Sequence, residues 1–217
     1  MSESEFTMDR WQELVSRVSG AQVVDDSLFD RLLTAYTEPH RAYHNQRHVS
    51  DCLRALDDAV ADIVKLDEVE LALWFHDVVY DTQATDNEAM SADWARDVLQ
   101  GLECSTETVE RVVANVTATA HQSEPAGPDQ KLTVDIDLSI LGRPPEDCDQ
   151  FEAAIRREYD WVPSDVFNAT RISILESFLD RDRIYSTEYF ANRLERRARE
   201  NLRRAIETLQ LPESQTD

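Results

Sequence analysis

Leu71-Ala72-Leu73-Trp74-Phe75-His76-Asp77 is a run of five apolar residues leading straight into an imidazole and a carboxylate. Within the longer stretch 69–80, the run reads as a helix buried on all sides. A carboxylate buried at its end without a partner costs several kcal/mol, on the order of what is lost when a buried ion pair is broken. Something cationic must therefore meet Asp77. His48 lies upstream, on what reads as a neighbouring helix. Asp137 lies downstream, at the head of Asp137-Leu138-Ser139-Ile140-Leu141-Gly142. Two imidazoles and two carboxylates form a mixed nitrogen and oxygen set suited to a divalent metal. The plain structural alternative is a buried hydrogen-bonded His76-Asp77 pair, with Asp137 capping a helix.

Outward from this centre the periodicity is helical almost throughout. Apolar positions recur at helical spacing over 6–18 and 27–36, and a third helix runs from the Tyr43-His44-Asn45 stretch to about residue 64. Further helices are expected over 86–102, with an acidic first turn that suits the helix dipole, and over 109–121, after a Ser105/Thr106 start. Residues 122–130, with Pro125, Gly127 and Pro128, form the clearest loop. A short apolar helix is expected over 132–141, ended by Gly142 and Pro144. The β-branched Thr133, Val134 and Ile136 also leave a short strand open there. Three more helices are expected over 147–161, 164–179 and 187–209. The fold class is therefore all-α. Without a linker or a shift in composition, 1–217 reads as a single domain, with a metal-binding core over about 40–142 and C-terminal helices over about 146–210.

The formal net charge is −22, from 44 acidic and 22 basic residues, and lysine occurs only at Lys65 and Lys131. The acids are spread through amphipathic segments rather than gathered in a tail. Such a surface repels itself at low salt and gains from screening, which points to a halophilic source. The same field disfavours duplex nucleic acid as a partner. The three cysteines are odd in number and contain no CxxC spacing, so they read as small core residues in a reducing compartment. The polar, acidic N-terminus is no signal peptide, and no apolar stretch approaches the ~20 residues needed to span a bilayer. A soluble, cytoplasmic protein is expected.

The order His48, then His76-Asp77, then Asp137 resembles the HD superfamily of metal-dependent phosphohydrolases, in particular a small stand-alone branch of predicted hydrolases. The stretches that carry the resemblance are Tyr43-His44-Asn45-Gln46-Arg47-His48, Leu73-Trp74-Phe75-His76-Asp77-Val78-Val79-Tyr80, Asp86-Asn87-Glu88, Thr119-Ala120-His121, Asp135 to Gly142, and the tail 195–202. They cover most of the chain from about residue 30 to 205. The resemblance implies an HD-type helical bundle and one divalent metal ion, Mn, Co, Fe, Ni, Mg or Zn, held by His48, His76, Asp77 and Asp137. It implies hydrolysis of a nucleotide or small phosphorylated metabolite by a metal-activated water. Oxygenase-type members bring extra histidines for a second metal, and only His121 lies between Asp77 and Asp137 here. The alternatives are an HD-type metal oxygenase and a non-catalytic nucleotide-binding or interaction module with a structural metal.

Roles for other residues follow from type and place. Glu88 is the preferred base for the water and Asp81 the second. Either could also be a plain helix-start acid. The stretch 76–82 resembles the alarmone-hydrolase motif, but Tyr80 stands where those enzymes carry a glutamate. The i, i+4 spacing of His44 and His48 is that of two residues on one helix face. His44 stands where the helix is expected to begin and is assigned to substrate or to support of the metal ligands, with orientation of the entry loop as the plain alternative. His121 is either a substrate contact or an ordinary helix-end histidine. Phosphate needs cations, and Arg47, Arg171 and Arg199 are the substrate-binding candidates, with Arg156 considered beside them.

Overall fold

The computed structural model describes residues 5–19, 26–59 and 66–211. Among them are ten α-helices, one short 3-10 helix and no strand. The chain divides into two compact units, Met1–Asp137 and Leu138–Asp217.

The first unit contains α1 (Met8–Ser19), α2 (Asp26–Tyr36), α3 (Gln46–Ala59), α4 (Leu66–Phe75), α5 (Asn87–Gly101), α6 (Thr106–Ala118) and α7 (Pro128–Asp137). Helix α4 is its axis. Every residue from Glu68 to Phe75 is buried, and the helix packs against α1, α3, α5, α6 and α7. An all-round apolar surface can be satisfied only by neighbours on every side. Phe6, Trp11 and Phe29 close around Trp74 with ring centroids 4.6 to 6.2 Å away, and Tyr36 packs on Phe6. The two acids in this apolar helix are met by arginines. Glu68 is bidentate with Arg111, and Glu70 meets Arg10 at 2.7 Å and Arg17 at 3.3 Å.

Two expectations are corrected here. Helix α4 stops at Phe75 rather than reaching residue 80, because the Trp74 carbonyl and the carbonyls just past the helix are taken by side chains from outside it. The Tyr36 hydroxyl donates to the Trp74 carbonyl at 3.0 Å. The buried Arg41 guanidinium donates to the carbonyls of Asp77 (2.6 Å), Val78 (3.0 Å) and His44 (3.0 Å). The guanidinium thus stands just past the last turn, where a cation suits the negative end of the helix. Residues 133–136 are helical, not a strand, and the helix starts at Pro128, inside the expected loop. Packing of Thr133, Val134 and Ile136 in the core overrides their β-branched preference. The expected end of the third helix, residues 60–64, lies outside the described residues.

The second unit contains a 3-10 turn (Leu138–Gly142), α8 (Pro145–Glu158), α9 (Ser164–Leu179) and α10 (Glu188–Leu209). The 3-10 turn lies against α10. A Cβ at Gly142 would stand 2.5 Å from the Leu194 Cβ, so this crossing requires glycine. Fully buried Asn201 donates to the carbonyls of Leu141 (2.7 Å) and Arg143 (3.0 Å), and the Tyr185 hydroxyl donates to Leu138 (3.0 Å). No described helix is long and apolar enough to cross a membrane.

Candidate metal centre

Three elements of the first unit deliver the donors. His48 sits in the first turn of α3, His76 and Asp77 follow the end of α4, and Asp137 is the last residue of α7. The capping by Arg41 and Tyr36 explains why the His-Asp pair is usable. It turns the chain out of the helix at the point where the two side chains must converge.

The Nε2 atoms of His48 and His76 lie 2.9 Å apart. Asp77 Oδ2 is 3.4 Å from the first and 3.1 Å from the second. Asp137 Oδ1 is 3.2 and 3.6 Å from the same two atoms. Donors held about 2.1 Å from one ion stand about 3.0 Å apart across a right angle and about 3.4 Å apart across a tetrahedral angle. The observed separations span that range. The His76 Nδ1 lies 3.0 Å from the Leu73 carbonyl, which can only accept, so Nδ1 carries a proton and Nε2 is the nitrogen that faces the cluster and would bind a cation in place of its proton. Asp77 Oδ2 is buried and has no hydrogen-bond partner of its own. A buried carboxylate oxygen left in this state, beside two imidazoles, is what a cation would satisfy. The donor set therefore fits a divalent metal.

Cys52 was read from the sequence as a small core residue, and it is buried. It also belongs to the group, because His48, Cys52, His76 and Asp137 offer donor atoms all within 4.8 Å of one another. Its sulfur stands 3.8 Å from both ring nitrogens of His48. That equal spacing places it against the ring rather than along the Nε2 lone pair, and Asp77 is the nearer fourth donor. The signal in the sequence was the i, i+4 spacing from His48.

The electrostatics are those of a mutually neutralising cluster. Burial alone lowers an imidazole pKa, but Cys52, Tyr43, Asp137 and Asp77 more than offset it and hold His48 well above its usual value. For His76, burial is likewise outweighed, chiefly by Asp77 and Asp137. Burial raises a carboxyl pKa, yet His76, His44 and His48 bring Asp77 well below the usual range. For Asp137 the opposing groups are His121, His48 and His76.

The other expected site residues fall into two groups. His44 is half-buried, stacks on Tyr80 with centroids 4.2 Å apart, and meets the His48 ring edge-on at 6.0 Å. His121 places Nε2 3.1 Å from Asp137 Oδ2. Its backbone is left-handed, with φ 55°, a conformation that costs a non-glycine residue about 1–2 kcal/mol. Glu88 is half-buried in the first turn of α5. Arg47 is exposed beside His48, and its backbone N–H bonds the Asn45 side chain. The exposed Asp81 is committed to a turn, its Oδ1 accepting from the Gln83 N–H at 2.8 Å.

The remaining arginines belong to the second unit and have other work. Arg171 forms a bidentate pair with Glu152 at 2.7 and 2.9 Å. Arg199 pairs with Glu195 and donates to the carbonyls of Leu179, Arg181 and Asp182. Arg156 donates to the carbonyls of Tyr159 and Val162. Arg199 and Arg156 thus hold helix ends, while Arg171 ties α9 to α8. No protein-family model, curated protein or solved structure matches the chain.

Proposed function

We propose that this protein is a metal-dependent phosphohydrolase of the HD type, cleaving a phosphoester or phosphoanhydride bond in a nucleotide or small phosphorylated metabolite. The observation that carries the reading is the convergence of His48, His76, Asp77 and Asp137, in that chain order, with donor separations that suit one cation. A divalent ion bound there supplies Lewis acidity toward a phosphoryl oxygen and acidifies water.

The chain's own residues supply the rest. Glu88 is half-buried and forms no hydrogen bond or ion pair among the described residues, so its carboxylate is available to take a proton from water. Asp81 stands second because its side chain already holds Gln83. Arg47 presents a guanidinium to solvent next to His48, in a protein where most arginines are paired. Its planar fork suits a phosphate group. His44 flanks the donors and orients substrate. The three free cysteines suit a reducing cytoplasm, and the charge of −22 disfavours duplex nucleic acid.

The competing reading is a non-catalytic module, favoured by one observation: the donors come from three separate elements, so a cation would tie α3, α4 and α7 together. The discriminating experiment loads the purified protein with Mn, Co, Ni, Mg, Fe or Zn and screens it against nucleotides and generic phosphoesters. Metal-dependent release of phosphate or a nucleotide product supports the hydrolase. Tight metal binding with no turnover on any of them supports the module.

A further inference from the structure

We infer that His121 is a positioning residue for the metal centre, holding the outer oxygen of Asp137 so that this carboxylate presents a single oxygen to a cation. The inference rests on the reading of His48, His76, Asp77 and Asp137 as metal donors.

The two oxygens of Asp137 face different partners. Oδ1 lies 3.2 Å from His48 Nε2 and 3.6 Å from His76 Nε2, inside the cluster. Oδ2 lies 3.1 Å from His121 Nε2. A carboxylate can only accept, so Nε2 of His121 carries the proton and donates it to Oδ2. An oxygen engaged in this way is the poorer donor to a cation, which favours binding of Asp137 through Oδ1 alone. Asp137 is also the last residue of α7. A carboxylate at the negative end of a helix repels the dipole and needs a donor to fix its orientation.

The backbone supplies an independent argument. His121 follows α6 at φ 55°, a place glycine or asparagine takes freely and an imidazole does not. Glu103 closes α5 with the same left-handed backbone, φ 56°, and touches none of the donors. The two positions share a conformational device. Only one of them aims a hydrogen-bond donor at a metal-site carboxylate, a role typical of the partners that orient metal ligands.

The test uses the full chain, with cobalt(II) as probe, followed by calorimetric titration and by the visible spectrum of the bound ion. His121→Gly relieves the strained backbone and removes the imidazole. Its cobalt affinity should fall by about 10–100-fold, as for other partners that orient metal ligands. The bands of bound cobalt should change as Asp137 turns to offer both oxygens. His121→Gln keeps an N–H at the place of Nε2 and should recover most of the affinity and the wild-type spectrum. Glu103→Gly should leave both unchanged. Circular dichroism establishes that each variant is folded. If His121→Gly binds cobalt as wild type does, with the same spectrum, His121 merely ends a helix and the inference is overturned. It is also overturned if His121→Gln behaves like His121→Gly. If the wild type itself takes up no cobalt, the metal reading falls first and the role of His121 with it.

Discussion

At its start, α4 buries Glu68 and Glu70; immediately past its end, the chain buries most of Asp77. The first two carboxylates are met by guanidiniums, from Arg111, Arg10 and Arg17. Among the described residues, the third is met only by imidazoles, from His76 and His48. An arginine is always charged, so the first arrangement is neutral at any physiological pH. A histidine balances a carboxylate only while it carries a proton, or while a cation takes that proton's place. One end of the helix is thus closed by the sequence itself, and the other depends on what is bound.

The comparison breaks most severely at Asp77. Asp77→Ala should empty the site and abolish turnover, and elemental analysis after reconstitution would show it. Equal metal content in wild type and variant would sink the metal reading. Glu88 sharpens the contrast as a third kind of carboxylate, one met by neither guanidinium nor imidazole. Glu88→Gln should lower kcat by about 10²–10⁴-fold with metal content unchanged, and Asp81→Asn should cost less. Steady-state kinetics with the reverse ranking would pass the base role to Asp81.

At the arginine end the effect is on stability alone. Arg10→Met leaves buried Glu70 with Arg17 as its remaining guanidinium among the described residues, and denaturant unfolding should show a loss of about 3 kcal/mol, the low end for a broken buried pair. Metal content should not change. A fall in metal content would mean that the two ends are coupled.

pH separates them more gently. In metal-free protein His48 and His76 hold pKa values raised above the usual imidazole value. Their contribution is complete below about 6.5, the unfolded value, and is lost as pH rises through the raised folded values. Asp77 and Asp137 are lowered, so their contribution is present above about 3.9 and is lost as pH falls through their folded values. Tm of chelated protein should therefore drop toward alkaline pH while that of metal-loaded protein does not, and parallel curves would contradict this. Salt reaches the exposed charges but not the buried ones. Tm should rise by a few degrees between low and molar salt as the charge of −22 is screened. A flat or falling Tm would reject the halophilic expectation.

The parts legible in the sequence are those in which spacing itself carries the physics. Ser164–Leu179 is bounded as the helix that its pattern predicts, and the His76-Asp77 pair stands out at the end of its apolar run. What spacing does not carry was missed. Arg41 and Tyr36 act through backbone carbonyls, which leave no period, so the apolar pattern runs on past the true end of α4. The left-handed turn at His121 has no glycine to announce it. Arg171 and Arg199 were candidates for phosphate because a sequence shows a cation without its partner, and here the partners are Glu152 and Glu195.

The turn at His121 has a consequence for descent. A residue that keeps an unfavourable backbone conformation is retained only while selection rewards its side chain. In any lineage where the centre falls out of use, position 121 should drift early toward glycine or asparagine, ahead of the buried residues around it. Reading that position beside Asp137 across related chains would then separate working copies from lapsed ones.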